Sequence, residues 1–298
     1  MKKVLLNIVV YSMLVFCVLF LINVVTQFIA NNKDVQPSDT IYLWGDSEMY
    51  QGIDMHDLAK ITGRTITSSA THGNGVYDFL VFCNRVPEHS YCVISFSTTC
   101  LTRVKEHDYN RLGTDIPSLL ILAKNGYTFE DIFTIVHNNY FAAKPIFRTI
   151  GRDELYPHQD TICHTDKLAA YEELFHSKHD YENNKWQVFL AGVEKLHDKQ
   201  CQLLFVVFPW HSLAYEKYLN SISQTNMNNN LLFLSSRYCD GEIENIEFND
   251  KDTLCMYDLV HMNEVGAKRT TQVLGKYINS TIPLNDNHIV VINGMVCN

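Results

Sequence analysis

The chain has 298 residues, of which 46% are hydrophobic and only 19% charged. That excludes a disordered chain, which needs low apolar content and high charge, and nine cysteines are too sparse for a small disulfide scaffold. A net charge of -9 argues against nucleic acid as the main partner, because phosphate binding needs a basic surface.

The first element is a run without a charge, Val4 to Ala30, 27 residues long. About 20 apolar residues span a bilayer core, so the run is expected to be a transmembrane helix. Lys2 and Lys3 precede it and no Lys or Arg follows before Lys33. The positive-inside rule then keeps the N-terminus cytoplasmic and puts residues 33–298 outside. A cleaved signal peptide is the alternative. Its apolar core is shorter, about 7–15 residues with a small-x-small cleavage site, whereas Phe28-Ile29-Ala30 lacks a small residue two before Ala30. The expected organisation is an anchor over 1–33 and one domain over 34–298.

Thr40 to Trp44 reads as a buried strand, broken by Gly45-Asp46-Ser47. Glu48 to Ile61 fits a helix face, ended by Thr62-Gly63. Arg64 to Ala70 is a second strand and His72-Gly73-Asn74-Gly75 a loop. Val76 to Val86 is a helix ended before Pro87, and Tyr91 to Phe96 a third strand. Residues 100–165 break the alternation as an insertion, with helices expected at Ile116 to Ala123 and Phe129 to Phe141. Asp166 to Lys199 reads as one long helix or two shorter ones. Gln202 to Phe208 is a strand, Ala214 to Ser223 a helix, Asn226 to Asn230 a polar turn and Leu231 to Ser235 a fifth strand. The last helix is Glu264 to Ile278.

Alternating strands and helices predict an α/β fold with a parallel sheet and helices on both faces. Ligands bind such sheets outside the carboxyl ends of the strands. The loops Gly45 to Ser47, His72 to Gly75, Ser97 to Cys100 and Pro209 to Ser212 should therefore converge on one edge. Ser47 stands at a strand-to-helix turn, near free N–H groups that stabilise negative charge. On its own it reads first as an N-cap serine, common at helix starts. Gly73 lets its N–H approach a ligand closely. Asp258-Leu259-Val260-His261 lies just before the last helix, where the histidine can take a serine proton and the aspartate can hold the imidazole. Asp46 is expected to brace the turn. Trp210 and His211 follow the Gln202 to Phe208 strand and are possible substrate contacts.

Three blocks together resemble the SGNH (GDSL-type) hydrolase family: Ser47 in YLWGDSEMY, Gly73 in SSATHGNG, and Asp258 with His261. The resemblance runs from Thr40 to Ile278. It implies a flavodoxin-like three-layer α/β/α fold and acyl transfer through a serine ester. Ser47 would be the nucleophile, and the N–H groups of Ser47 and Gly73 the oxyanion hole. The family's third block carries an Asn that donates to the oxyanion. This chain has Ser97-Thr98-Thr99-Cys100 there, which leaves a hydroxyl of Thr98 or Thr99 as the substitute donor. With its anchor and insertion, the chain looks most like membrane-anchored relatives that handle O-acetyl groups on extracellular polysaccharides. The resemblance implies an esterase or an O-acyltransferase acting on an O-acylated glycan. In the transfer case an acyl donor and a multi-span membrane acyltransferase partner are implied as well. The other reading is an inactive carbohydrate-binding or scaffold protein on the same fold.

No cofactor is implied. The thirteen histidines show no H-x-x-x-H pair, and no C-x-x-C pair occurs, so no metal site is expected. Eight cysteines lie beyond the anchor, an even number that permits disulfides without fixing a pattern. A thiol role for Cys100 ranks last, since nothing nearby predicts a lowered pKa. Asn279-Ser280-Thr281 fits the glycosylation pattern of a secretory eukaryotic context.

Overall fold

A computed structural model describes residues 39–97, 114–139, 183–211, 222–239, 255–282 and 286–293. It also describes 101, 148–149, 213–214, 243–247 and scattered helical positions between 10 and 25. The Val4 to Ala30 expectation therefore lies largely outside the described residues. Among the described residues no helix is long and apolar enough to cross a membrane.

Seven strands form one sheet: β1 Thr40–Trp44, β2 Thr65–Ser68, β3 Tyr91–Ser95, β4 Arg148–Thr149, β5 Gln202–Val207, β6 Ile243–Glu247 and β7 His288–Asn293. Their order is β4-β2-β1-β3-β5-β7-β6. Among the described residues six strands are parallel, and only the two-residue edge strand β4 runs antiparallel, against β2. The helices are α1 Ser47–Gly52, α2 Met55–Thr62, α3 Val76–Arg85, α4 Ile116–Lys124, α5 Phe129–Asn139, α6 Asn183–Asp198, α7 Ile222–Tyr238 and α8 Glu264–Thr281.

Strand side chains alternate between faces, and the two cores follow that alternation. Tyr42, Trp44, Cys92, Ile94, Leu203, Phe205 and Ile289 point to one side, where α3, α6 and α7 supply Phe79, Phe189 and Leu234. Ile41, Leu43, Val93, Leu204, Val206, Val290 and Ile292 point to the other, against Met49, Leu58, Leu274 and Ile278 of α1, α2 and α8. All five residues of β1 are buried, as a strand covered on both faces must be. The α/β class is thus as expected, with helices on both faces of the sheet. An aromatic stack fills the first core: Phe79 lies 4.5 Å from Phe189 and 4.6 Å from Trp44 between ring centroids.

Three expectations need correction. Leu231 to Ser235 is not a strand, and Asn226 to Asn230 is not a turn; both belong to α7. Met227, Asn230, Leu231, Leu234 and Ser235 are its buried positions, an i, i+3, i+4, i+7, i+8 face. The single helix expected over Glu48 to Ile61 is two, because Asp54 caps a fresh start. Its carboxylate accepts the N–H groups of His56 and Asp57, each at 3.0 Å. Two strands, β6 and β7, went unassigned, and β7 inserts between β5 and β6.

Candidate active site

β1 pairs with β2 on one side and β3 on the other. The strand order therefore reverses at β1, and a crevice opens at its carboxyl end. Gly45-Asp46-Ser47 fills that position. The turn is tight: a Cβ on Gly45 would lie 2.5 Å from the Met49 Cβ and 2.6 Å from the Ser95 Cβ, so only glycine fits. Asp46, not Ser47, is the N-cap of α1. Its Oδ1 accepts the Glu48 N–H at 3.0 Å, and its Oδ2 accepts the Ser97 hydroxyl at 2.7 Å. This brace leaves the Ser47 hydroxyl for another partner.

That partner is His261, whose Nε2 lies 2.9 Å from Ser47 Oγ. On the other side of the ring, Nδ1 lies 2.9 Å from Asp258 Oδ2 and 3.0 Å from Oδ1. The segment holding both residues is a small hairpin. Met256 and Met262 pair antiparallel, the Tyr257 N–H donates to the His261 carbonyl at 2.9 Å, and Asp258 Oδ1 accepts the N–H groups of Val260 and His261 at 3.0 and 2.8 Å. Three-residue spacing thus closes a turn that presents both side chains to one edge. Leu259 and Val260 are buried beneath it.

The carboxylate is buried while the histidine ring keeps 17% side-chain exposure, so a solvent-borne molecule can reach the ring. Burial pushes the Asp258 carboxyl upward, but the His261 ring and the two backbone N–H donors outweigh it and hold it at about 2. Asp258 is therefore ionised at neutral pH. It favours the tautomer with the proton on Nδ1 and leaves Nε2 as an acceptor for the serine proton.

Gly73 sits in the loop after β2 with φ 78° and is buried. Thr98 and Thr99, with Cys100, lie outside the described residues. Trp210 is half-buried against the α3/α6 core. His211 is buried, and burial lowers its pKa. Its N–H donates to the Leu259 carbonyl at 2.9 Å and its Nδ1 accepts the Leu213 N–H at 3.2 Å, so its backbone meets the Asp258–His261 turn directly. Among the described residues no group of three or more His, Cys, Asp or Glu could hold a metal ion, and no disulfide joins the described cysteines.

Sequence reasoning passed over Asn74, Ser97 and Asn263. Asn263 caps α8 by accepting the Gly266 N–H at 3.0 Å, and Asn-x-x-Gly before a periodic run was a readable cap signal. The bonds of Asn74 and Ser97 reach across loops, 29 and 51 positions away, and no local pattern announces them.

The fold and site define an α/β protein with a Ser–His–Asp chain at the switch point of its sheet. No protein-family model matches the chain, and no curated protein matches it.

Proposed function

We propose that this chain is a serine-dependent acyl ester hydrolase or O-acyltransferase of SGNH type, anchored by Val4 to Ala30 and acting on small O-acyl groups of extracytoplasmic glycans. The observation that carries the chemistry is the hydrogen-bonded chain from Ser47 Oγ through His261 to the buried carboxylate of Asp258. Such a chain activates a hydroxyl that is otherwise a weak nucleophile. Ser47 Oγ attacks the acyl carbonyl while His261 Nε2 takes its proton. The N–H groups of Ser47 and Gly73 receive the oxyanion, and Asp258 steadies the imidazolium. His261 returns the proton to the departing alkoxide, leaving an acyl-serine. Water as the second acceptor gives hydrolysis, and a sugar hydroxyl gives transfer. The glycan substrate and the outward location rest on the anchor and on the family resemblance.

The third block favours a second reading. Its Ser97 hydroxyl is bonded to Asp46, and the family's Asn is absent, so a binding or scaffold protein on the same fold is the competitor. A fluorophosphonate probe on the full chain separates the two. The expected result is one covalent label on Ser47, turnover of p-nitrophenyl acetate, and neither in Ser47→Ala. An unlabelled Ser47 in folded protein would favour the scaffold, and equal turnover by the variant would remove Ser47 from the mechanism.

A further inference from the structure

The two backbone donors assigned to the oxyanion come from different loops. Ser47 follows β1 and Gly73 follows β2. An oxyanion hole works only when its donors hold fixed positions around one oxygen, so something must fix one loop against the other. Asn74 is fully buried and adjoins Gly73. Its Nδ2 donates to the Gly45 carbonyl at 2.8 Å, two residues before Ser47, and to the Ser69 carbonyl at 2.9 Å. The first bond ties the loop to the nucleophile turn, and the second closes the loop on itself. The ends of the loop are pinned by ordinary bonds, the Ser69 N–H to the Leu43 carbonyl at 2.9 Å and the Gly75 N–H to Asp78 Oδ2 at 2.9 Å, but the backbone bonds of its middle are long. The Thr71 N–H reaches the Gly45 carbonyl at 3.3 Å, and the Asn74 N–H reaches the Thr71 carbonyl at 3.4 Å, at the weak end of hydrogen-bond geometry.

The orientation of the Asn74 amide is fixed by its neighbours, because two carbonyl acceptors require the NH2 group on that side. Its Oδ1 is buried with no hydrogen-bond partner among the described residues. The side chain is therefore held by its two donors alone. Those donors are both committed, so Asn74 does not replace the missing third-block Asn as a ligand of the oxyanion.

We propose that Asn74 is a positioning residue that sets the spacing between the Ser47 and Gly73 N–H groups. The proposal rests on the serine-ester reading above. A structural amide elsewhere in the core would change stability only, whereas loss of this one displaces the donors, and a misplacement of about 1 Å can cost about 10²-fold in rate.

The test uses the full chain with p-nitrophenyl acetate, with active sites counted by fluorophosphonate labelling and assays run well below the melting temperature. In Asn74→Ala, kcat per labelled Ser47 should fall about 10²-fold with KM within about threefold. Phenylboronic acid, whose tetrahedral adduct places an oxygen in the oxyanion hole, should lose affinity by a comparable factor. Asn74→Asp keeps the shape but sets a carboxylate against two carbonyls, so it should lose as much. It also carries the comparison if the alanine variant does not fold. Variants with wild-type kcat per site and unchanged boronate affinity would overturn the proposal while leaving the serine mechanism intact. A folded wild type that takes no label and turns over no ester would overturn both.

Discussion

Asp258→Asn should lower kcat for ester turnover by about 10⁴-fold, the scale seen when the carboxylate of a serine triad becomes an amide, with little change in fold. The reason is local. Asp258 Oδ1 already accepts the N–H groups of Val260 and His261. An asparagine keeps those bonds by placing its carbonyl there, which points its NH2 group at His261 Nδ1. That nitrogen must then be an acceptor, so the ring proton moves to Nε2. A protonated Nε2 cannot take the proton of Ser47, 2.9 Å away. The same substitution carries a stability signature. The Asp258 carboxyl is depressed from 3.8 to about 2, so it stabilises the folded state above pH 3.8, and that contribution is lost as pH falls toward about 2. Melting temperatures of wild type and variant, followed from pH 5 down to 2, should therefore converge. A variant with wild-type kcat, or a constant difference in melting temperature across that window, would contradict this role for Asp258.

Gly266→Ala should damage stability and catalysis together. A Cβ at this position in α8 would enter the van der Waals shell of the Cys255 carbonyl oxygen. That carbonyl also accepts the Asn263 N–H at 3.1 Å, so the hairpin and the helix start are clamped to each other. Both sides of the clash are backbone-fixed, and neither can yield by a rotamer change. The expected cost is about 3 kcal/mol, the upper part of the range for overpacking, or a drop in melting temperature of about 10 °C for a domain of this size. The protein that remains folded must shift the hairpin, and with it His261, so kcat should also fall about 10²-fold. Circular dichroism melts beside ester assays check both parts. A variant that melts with the wild type would show that the hairpin is looser than its packing.

Some of this was readable in the sequence and some was not, for physical reasons. β1, β3 and β5 are short apolar runs with turn residues behind them, and burial on both faces leaves no other pattern for them. β6, IENIE, is half polar because it lies at the sheet edge, so it carries no such run. Leu231 to Ser235 looked like a strand because five apolar or small residues fit either element. The helical period appears only when Met227 is counted with Leu231 and Leu234. Asp258 and His261 were legible because one turn holds both, and Ser47 because a tight glycine turn precedes it. Their meeting across 214 positions depends on the fold. The Asn74 tie depends on it as well, since its acceptor belongs to a different strand's loop.

The place of β7 has a consequence for the order in which the site is assembled. β6 has β7 as its only strand neighbour among the described residues, yet β7 is made after β6, the Asp258–His261 hairpin and α8. On a chain that emerges from its N-terminus, β1, β2 and β3 can pair as soon as they appear, and they complete the Ser47 turn and the Gly73 loop. β6 has no place in the sheet until β7 has joined β5. The Ser47 turn is thus built by the earliest part of the domain, while the edge strand that leads to the Asp258–His261 hairpin docks last.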